Sequence, residues 1–437
     1  MAISGRGSQD IAASIEREIA RGDLHAGTAL PPIRDLAGDL GVNANTVAAA
    51  YRLLRDRGLV ETGGRRGTRV RGRPAGQPRE TEAGRVPPGT RDAANGNPDP
   101  RLLPDLGAAL AAVARRRTGH HPLYGDPPTD PGLLETAHAV FAADGVPAGH
   151  LTVTAGALDG IERLLRSSLR PGDAVAVEDP GWPALYDMVA GLGFKRLGVP
   201  VDDDGMEPGG LTAALRAGAR AVLLTSRAQN PTGAALSAER AGLLRAALAP
   251  HPDVLTVEDD HGFGFTAQPF NGVHGATERW AVVRSVAKGY GPDLRLAMVA
   301  GDAVTVDRVR VLLQAGAGWI SRVLQEAFVE VWRHGGVVPG EVAHDYDERR
   351  GALIDRLAGL GIAARGRSGV NVWVPVADEA ATVAALLARG WAVAPGRRFR
   401  LESAPGIRVT VSALDIADMP RLATDIAAAA RPSRPAV

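Results

Sequence analysis

Cysteine is absent from the 437 residues, which excludes disulfides, thiol catalysis and thiolate metal sites. Lysine is nearly absent: of 50 basic side chains only Lys195 and Lys288 are lysines, the rest being arginines. Arginine keeps its charge at any ordinary pH, whereas a lysine amine can lose a proton and attack a carbonyl. Amine nucleophiles are therefore confined to two positions. A composition rich in Ala, Gly, Pro and Arg explains why lysines are few, but not why one stands at Lys288, directly after an apolar run. Net charge is small as well, and a formal +1 argues against a globally basic nucleic-acid coat while hiding local asymmetry. The N-terminus lacks the apolar core of a signal peptide and no apolar run reaches membrane-spanning length, so a cytoplasmic protein with no membrane partner is expected. What remains is ordinary: 45% hydrophobic and 23% charged residues, over a length that allows two or three domains.

The charge is unevenly spread. Met1–Arg73 holds 12 Arg against 8 Asp and Glu, with Arg65, Arg66, Arg69, Arg71 and Arg73 crowded together at its end. Residues 72–91 are rich in Pro, Gly, Thr and Glu without hydrophobic periodicity and read as an exposed linker. Beyond Asp92, apolar runs at Leu151–Thr154, Ala174–Glu178, Arg196–Val201, Ala221–Thr225, Val254–Glu258, Ala281–Val286 and Leu296–Ala300 read as strands. Helical stretches such as Gly160–Leu169 and Ala238–Leu248 separate several of them. This alternation predicts an α/β domain with a mostly parallel seven-stranded sheet covered on both faces. The expected organisation is a module over 1–71, a linker over 72–91 and a domain over 92–437. That domain divides into a large part at about 105–335 and a small α+β part at about 340–437, which ends in an Ala-rich helix.

Within the first module Ile11, Ile15 and Ile19 recur at four-residue spacing, one buried face of a helix. Pro31 and Pro32 open a short helix Ile33–Leu40 that stops at Gly41. A further helix, Asn45–Arg57, starts at Asn43 or Ala44 and buries Val47, Ala50, Tyr51 and Leu54. Two short helices joined through a glycine turn form a helix-turn-helix, in which Asn43, Asn45 and Thr46 would face base edges. Leu59–Val70 reads as a hairpin whose tip carries Arg65 and Arg66, a wing suited to phosphates or the minor groove. The segments Leu30–Ala37, Val42–Val47 and Arg66–Val70, in that order, resemble the winged helix of GntR-type bacterial regulators over about 8–71. The resemblance implies that Arg34, Asn45, Thr46 and Arg66 contact operator DNA.

The larger domain carries the parts that pyridoxal 5'-phosphate requires: a lysine, a carboxylate for its ring nitrogen, a phosphate cup and a side chain against the ring. Leu151–Thr154 runs into a turn at Gly156 and a helix from Ala157, where backbone N–H groups can hold a phosphate. Trp182, in Asp179-Pro180-Gly181-Trp182-Pro183, could stack on a ring. Asn230, in Asn230-Pro231-Thr232-Gly233, could bond a ring hydroxyl, and Asp259 ends a strand in Glu258-Asp259-Asp260-His261. Each signal alone is weak. In order, with Ser285-Val286-Ala287-Lys288 running on to Arg295 and with Gly406-Ile407-Arg408-Val409, they resemble the fold-type I aminotransferases over about 95–430. That resemblance implies Lys288 as the catalytic, aldimine-forming lysine, Asp259 on the ring nitrogen and Asn230 near the ring oxygen. It further implies Ser285, Arg295, Gly156 and Ala157 on the phosphate, with Trp182 stacked on the ring. Tyr124 would reach the phosphate of a neighbouring subunit, and Arg408 would clamp a substrate or effector carboxylate. No metal site is expected.

A winged helix fused to such a domain is similar to the MocR branch of GntR regulators, which implies a homodimer sensing pyridoxal phosphate or an amine that reacts with it. Two departures stand out. His261 occupies the place of a tyrosine that bonds the ring hydroxyl, which the imidazole could still reach. Ser226-Arg227-Ala228-Gln229 stands where a His-Gln is common. The nearest resemblance is to MocR-type members linked to vitamin B6 salvage. The alternatives are an active class I/II aminotransferase carrying a DNA-binding appendage, and an apo sensor with a dead cofactor site. Retention of lysine, acid and phosphate arginine disfavours the latter.

Overall fold

The computed structural model describes residues 3–21, 23–25, 27–56, 59–62, 67–70, 86–119, 122–334 and 338–430. The chain divides into two compact units, one comprising Met1–Gln77, Leu169–Ala174 and Asp187–Lys195, the other the remaining residues.

The N-terminal module is built on helices α1 (Ser8–Arg21), α2 (Ile33–Leu40) and α3 (Ala44–Asp56), followed by strands β1 (Val60–Thr62) and β2 (Thr68–Val70). Ile11 and Ile15 are fully buried and Ile19 partly so, packed with Leu24, Leu36, Val47, Tyr51 and Leu54. The apolar spacing thus marks the faces that close the core. Gly41 ends α2 in the left-handed region (φ +63°), its N–H turned onto the Ala37 and Gly38 carbonyls, a stop that glycine adopts without steric cost. Asn43 caps α3, its side-chain oxygen accepting the Asn45 N–H at 2.8 Å. β1 and β2 pair antiparallel with Val60 opposite Val70, both buried, so the wing is rooted in the same core. Arg65 and Arg66 lie outside the described residues.

The second unit opens with β3 (Arg91–Ala93) and continues through β4 (Leu151–Thr154), β5 (Ala174–Asp179), β6 (Lys195–Asp202), β7 (Gly205–Met206) and β8 (Ala219–Thr225). β9 (Leu255–Asp260), β10 (Arg279–Ser285), β11 (Ala297–Gly301), β12 (Asn371–Pro375), β13 (Trp391–Pro395) and β14 (Gly406–Thr410) follow. An 8-stranded sheet takes the order β4-β11-β10-β9-β8-β5-β6-β7. β8, β9 and β10 are parallel, while β11 runs antiparallel to both neighbours, β10 and β4. All seven expected strands are present. The eighth, β7, is a two-residue return pairing with β6, too short to show any alternation. Every residue of β4, β9 and β11 is buried, as expected of strands covered on both faces.

At Arg91, the last residue of the expected linker, the chain is already paired: β3 runs parallel to β13, Arg91 opposite Trp391. The chain therefore contributes to the small 4-stranded sheet, β12-β14-β13-β3, before entering the large one. Arg91-Asp92-Ala93 carries no apolar pattern from which this could be read. Among the described residues no helix is long and apolar enough to cross a membrane.

Candidate functional site

The ends of β4, β5, β8, β9 and β10 lead into a cavity of about 300 Å³, the place where parallel sheets bind ligands. From β4 come Gly156 and Ala157, the latter opening helix α4 (Ala157–Ser168). Gly156 has φ +92°, and a Cβ there would lie 3.0 Å from Arg295 Nη2, so the turn admits only glycine without displacement. Arg295 itself takes a left-handed φ of +46° and donates from Nη2 to the Ala155 carbonyl at 2.9 Å. Asp159 pins the same turn, its Oδ2 accepting the Ala155 N–H at 2.9 Å. The first turn of α4, Arg295 and the buried Ser285 together form an anion cradle.

Lys288 lines the same cavity, its Nζ donating to the Gly96 carbonyl at 2.7 Å. Opposite it, the buried Arg408 donates from Nη1 to Asn230 Oδ1 at 2.9 Å and from Nη2 to the Ala94 carbonyl, with its guanidinium 4.6 Å over the Phe399 ring. A guanidinium can only donate, so the Asn230 amide is oriented with Nδ2 as its remaining donor. Trp182 lines the cavity, its ring 6.4 Å from that of His261.

Beneath the cavity the buried Asp259 accepts at Oδ2 from the His261 side, with Nδ1 at 2.9 Å, while its Oδ1 is buried without a hydrogen-bond partner among the described residues. His261 Nε2 donates to the Ala228 carbonyl at 2.7 Å. Both imidazole nitrogens are thus engaged, one by the carboxylate and the other by the backbone.

Several groups at the site escaped the sequence reading. The Asn95–Pro98 turn lines the cavity, and only its Asn-Gly and Asn-Pro turn signals could have drawn notice. Burial pushes the Glu178 carboxyl up to about 7, against hydrogen bonds from Thr225 and Gln229. Arg227, at the departure from the common His-Gln, pairs with Asp260 together with Arg284. Burial alone would raise the Asp260 carboxyl, yet these two guanidiniums hold it down to about 2. Gln229 ties Glu178 to the Pro180 carbonyl and accepts from Thr232, fixing the loop that carries Asn230.

Of the expected cofactor residues, Gly156, Ala157, Trp182, Asn230, His261, Ser285, Lys288, Arg295 and Arg408 line one cavity, and Asp259 adjoins it through His261. Tyr124 does not: it is 92% exposed, edge-on to Trp319. On the winged helix Arg34, Asn43 and Asn45 are exposed and Thr46 is half-buried. The residues present fit pyridoxal phosphate: an amine, an anion cradle and a buried carboxylate oxygen that still needs a donor.

Residues 93–426 match the class I and II aminotransferases, a pyridoxal-phosphate-dependent family, and residues 8–70 match the bacterial regulatory proteins of the gntR family. The chain is 42% identical to the vitamin B6 salvage pathway transcriptional repressor PtsJ of Salmonella typhimurium, over 97% of this chain and 98% of that one. It is 29% identical to the HTH-type transcriptional regulator TauR of Rhodobacter capsulatus over 87% of each chain. With the probable rhizopine catabolism regulatory protein MocR of Rhizobium meliloti it shares 27% identity over 72% of this chain and 69% of that one. The solved structure of LysN, an α-aminoadipate aminotransferase from Thermus thermophilus, shares the fold at TM-score 0.69 and 19% identity, covering 82% of this chain and 95% of that one. The chain belongs to the class I and II aminotransferase family and, carrying that domain behind a GntR helix-turn-helix, is a transcriptional regulator of the MocR type.

Proposed function

We propose that this regulator binds operator DNA as a homodimer in the cytoplasm and senses pyridoxal phosphate, or an amine that reacts with it, at Lys288, with vitamin B6 salvage under its control. The name of its 42% identical relative supports the pathway. The observation that carries the sensing role is the buried Asp259 Oδ1, without a hydrogen-bond partner among the described residues, next to a cavity that also holds the Lys288 amine. When bound, pyridoxal phosphate supplies an aldehyde open to covalent capture by a lysine amine and a ring that withdraws electrons. Lys288 gives up the Gly96 carbonyl to serve as that amine. Gly156, Ala157, Ser285 and Arg295 hold the phosphate, Trp182 covers the ring, Asn230 Nδ2 donates to the ring oxygen and Asp259 Oδ1 accepts at the ring nitrogen. Arg408 clamps the carboxylate of an amino-acid effector, exchanging its bonds to Asn230 and Ala94 for a fork on the ligand. The exposed Tyr124 reaches the phosphate held by the partner subunit. Arg34, Asn45 and Thr46 meet DNA on the helices and Arg66 on the wing, while Asn43 presents only what its capping role leaves over.

Titration of purified protein with pyridoxal phosphate tests this reading. A visible absorption band should grow to one cofactor per chain, and Lys288→Ala should abolish the borohydride-reducible adduct. A colourless wild-type protein that takes up no cofactor would refute it. Sustained turnover between an amino acid and a keto acid at enzyme-like rates would favour the aminotransferase reading instead.

A further inference from the structure

The contacts of His261 point to a role that the family's tyrosine does not have. Its Nε2 lies 2.7 Å from the Ala228 carbonyl, which can only accept, so that nitrogen carries a hydrogen. Its Nδ1 lies 2.9 Å from Asp259 Oδ2, and one proton bridges the two. Both groups are buried, His261 being 8% and Asp259 3% exposed. The Ala228 carbonyl is itself held in place, since the Ala228 N–H donates to the Ser368 hydroxyl at 2.7 Å. Backbone, imidazole and carboxylate thus form a chain of bonds that ends on Asp259 Oδ1, an acceptor with no hydrogen-bond partner among the described residues.

We infer that His261 is a positioning residue: clamped by the Ala228 carbonyl, it fixes the Asp259 carboxylate through Oδ2 so that Oδ1 is presented to the cofactor's ring nitrogen. This inference rests on the proposed binding of pyridoxal phosphate in the Lys288 cavity. One consequence follows from the bonding: the ring hydroxyl is left to the Asn230 Nδ2 donor, whose orientation Arg408 sets.

The two imidazole contacts can be separated with amides. An asparagine nitrogen overlies Nδ1 and a glutamine nitrogen overlies Nε2, so His261→Asn keeps the donor to Asp259 while His261→Gln keeps only the donor to Ala228. Pyridoxal phosphate affinity and the absorption spectrum of the bound cofactor are measured for the full-length wild type and both variants, with thermal melting as the control for folding. The expected result is a wild-type spectrum and affinity within about threefold for His261→Asn. His261→Gln should show weakening on the order of tenfold, the scale of one lost charge-assisted hydrogen bond, and a shifted absorption band. If His261→Gln matches wild type, or if both variants weaken equally at unchanged melting temperature, the positioning role is overturned. Failure of the wild type itself to take up cofactor would instead refute the binding reading on which the role depends.

Discussion

Glu178 shows how a single side chain at this site carries a thermodynamic signature. Its ordinary value is 4.5, and burial moves the carboxyl up to about 7, with the nearby Asp259 adding like charge. Between those values the folded protein keeps a proton that the unfolded chain has lost. This stabilising contribution is whole below about 4.5, declines as pH rises and is gone above about 7. The loss is on the order of 3 kcal/mol. Glu178→Gln should therefore flatten the fall in melting temperature between pH 5 and pH 8, and equal slopes in the two proteins would contradict the assignment. Lys288 was legible in the sequence because lysine is so scarce there, and Asp259 because its neighbours form a motif. Glu178 and Gly96 were not legible. A glutamate before Asp179 looks like any strand-end acid until Thr225 and Gln229 close over it, and Gly96 matters only because the fold sets its carbonyl against Lys288 Nζ.

At the scale of elements, β4, β9 and β11 announced themselves as apolar runs because both sheet faces are covered, and α1 and α3 through their spaced buried residues. β3 and β7 did not, since strands of three and two residues cannot show a period. The turn from β4 into α4 makes a specific prediction. Gly156→Ala adds a Cβ 3.0 Å from Arg295 Nη2 at a φ of +92°, so it strains the backbone and pushes the guanidinium out of the anion cradle. Cofactor affinity should fall at least tenfold with operator affinity of the cofactor-free protein unchanged; a loss of both would mean that the substitution unfolds more than the cradle. On α2, Arg34 is exposed and makes no ion pair among the described residues, as a phosphate contact requires. Arg34→Ala should weaken operator binding and lower the slope of log affinity against log salt by about one. An unchanged slope would move the DNA face elsewhere.

For the whole molecule, the fusion itself was readable, because two sets of ordered motifs occupy separate stretches of one chain. What could not be read was how the chain enters the second unit. Arg91–Ala93 pairs as an edge of the small sheet, and the next residues, Ala94 and Gly96, accept from Arg408 and Lys288. The first stretch beyond the expected linker therefore bonds both side chains proposed to take up ligand, and a ligand that takes the Lys288 amine and both terminal nitrogens of Arg408 replaces those bonds. A ligand can regulate only through unequal affinity for two arrangements, and in the sensor account proposed above this exchange of bonds is where the difference arises. The most direct test is operator affinity measured across a pyridoxal phosphate titration, with cofactor uptake followed by absorbance in the same samples. Wild-type affinity should shift in step with uptake, while Lys288→Ala binds operator with an affinity that no cofactor concentration changes. Full uptake by the wild type with constant operator affinity would contradict the sensor account.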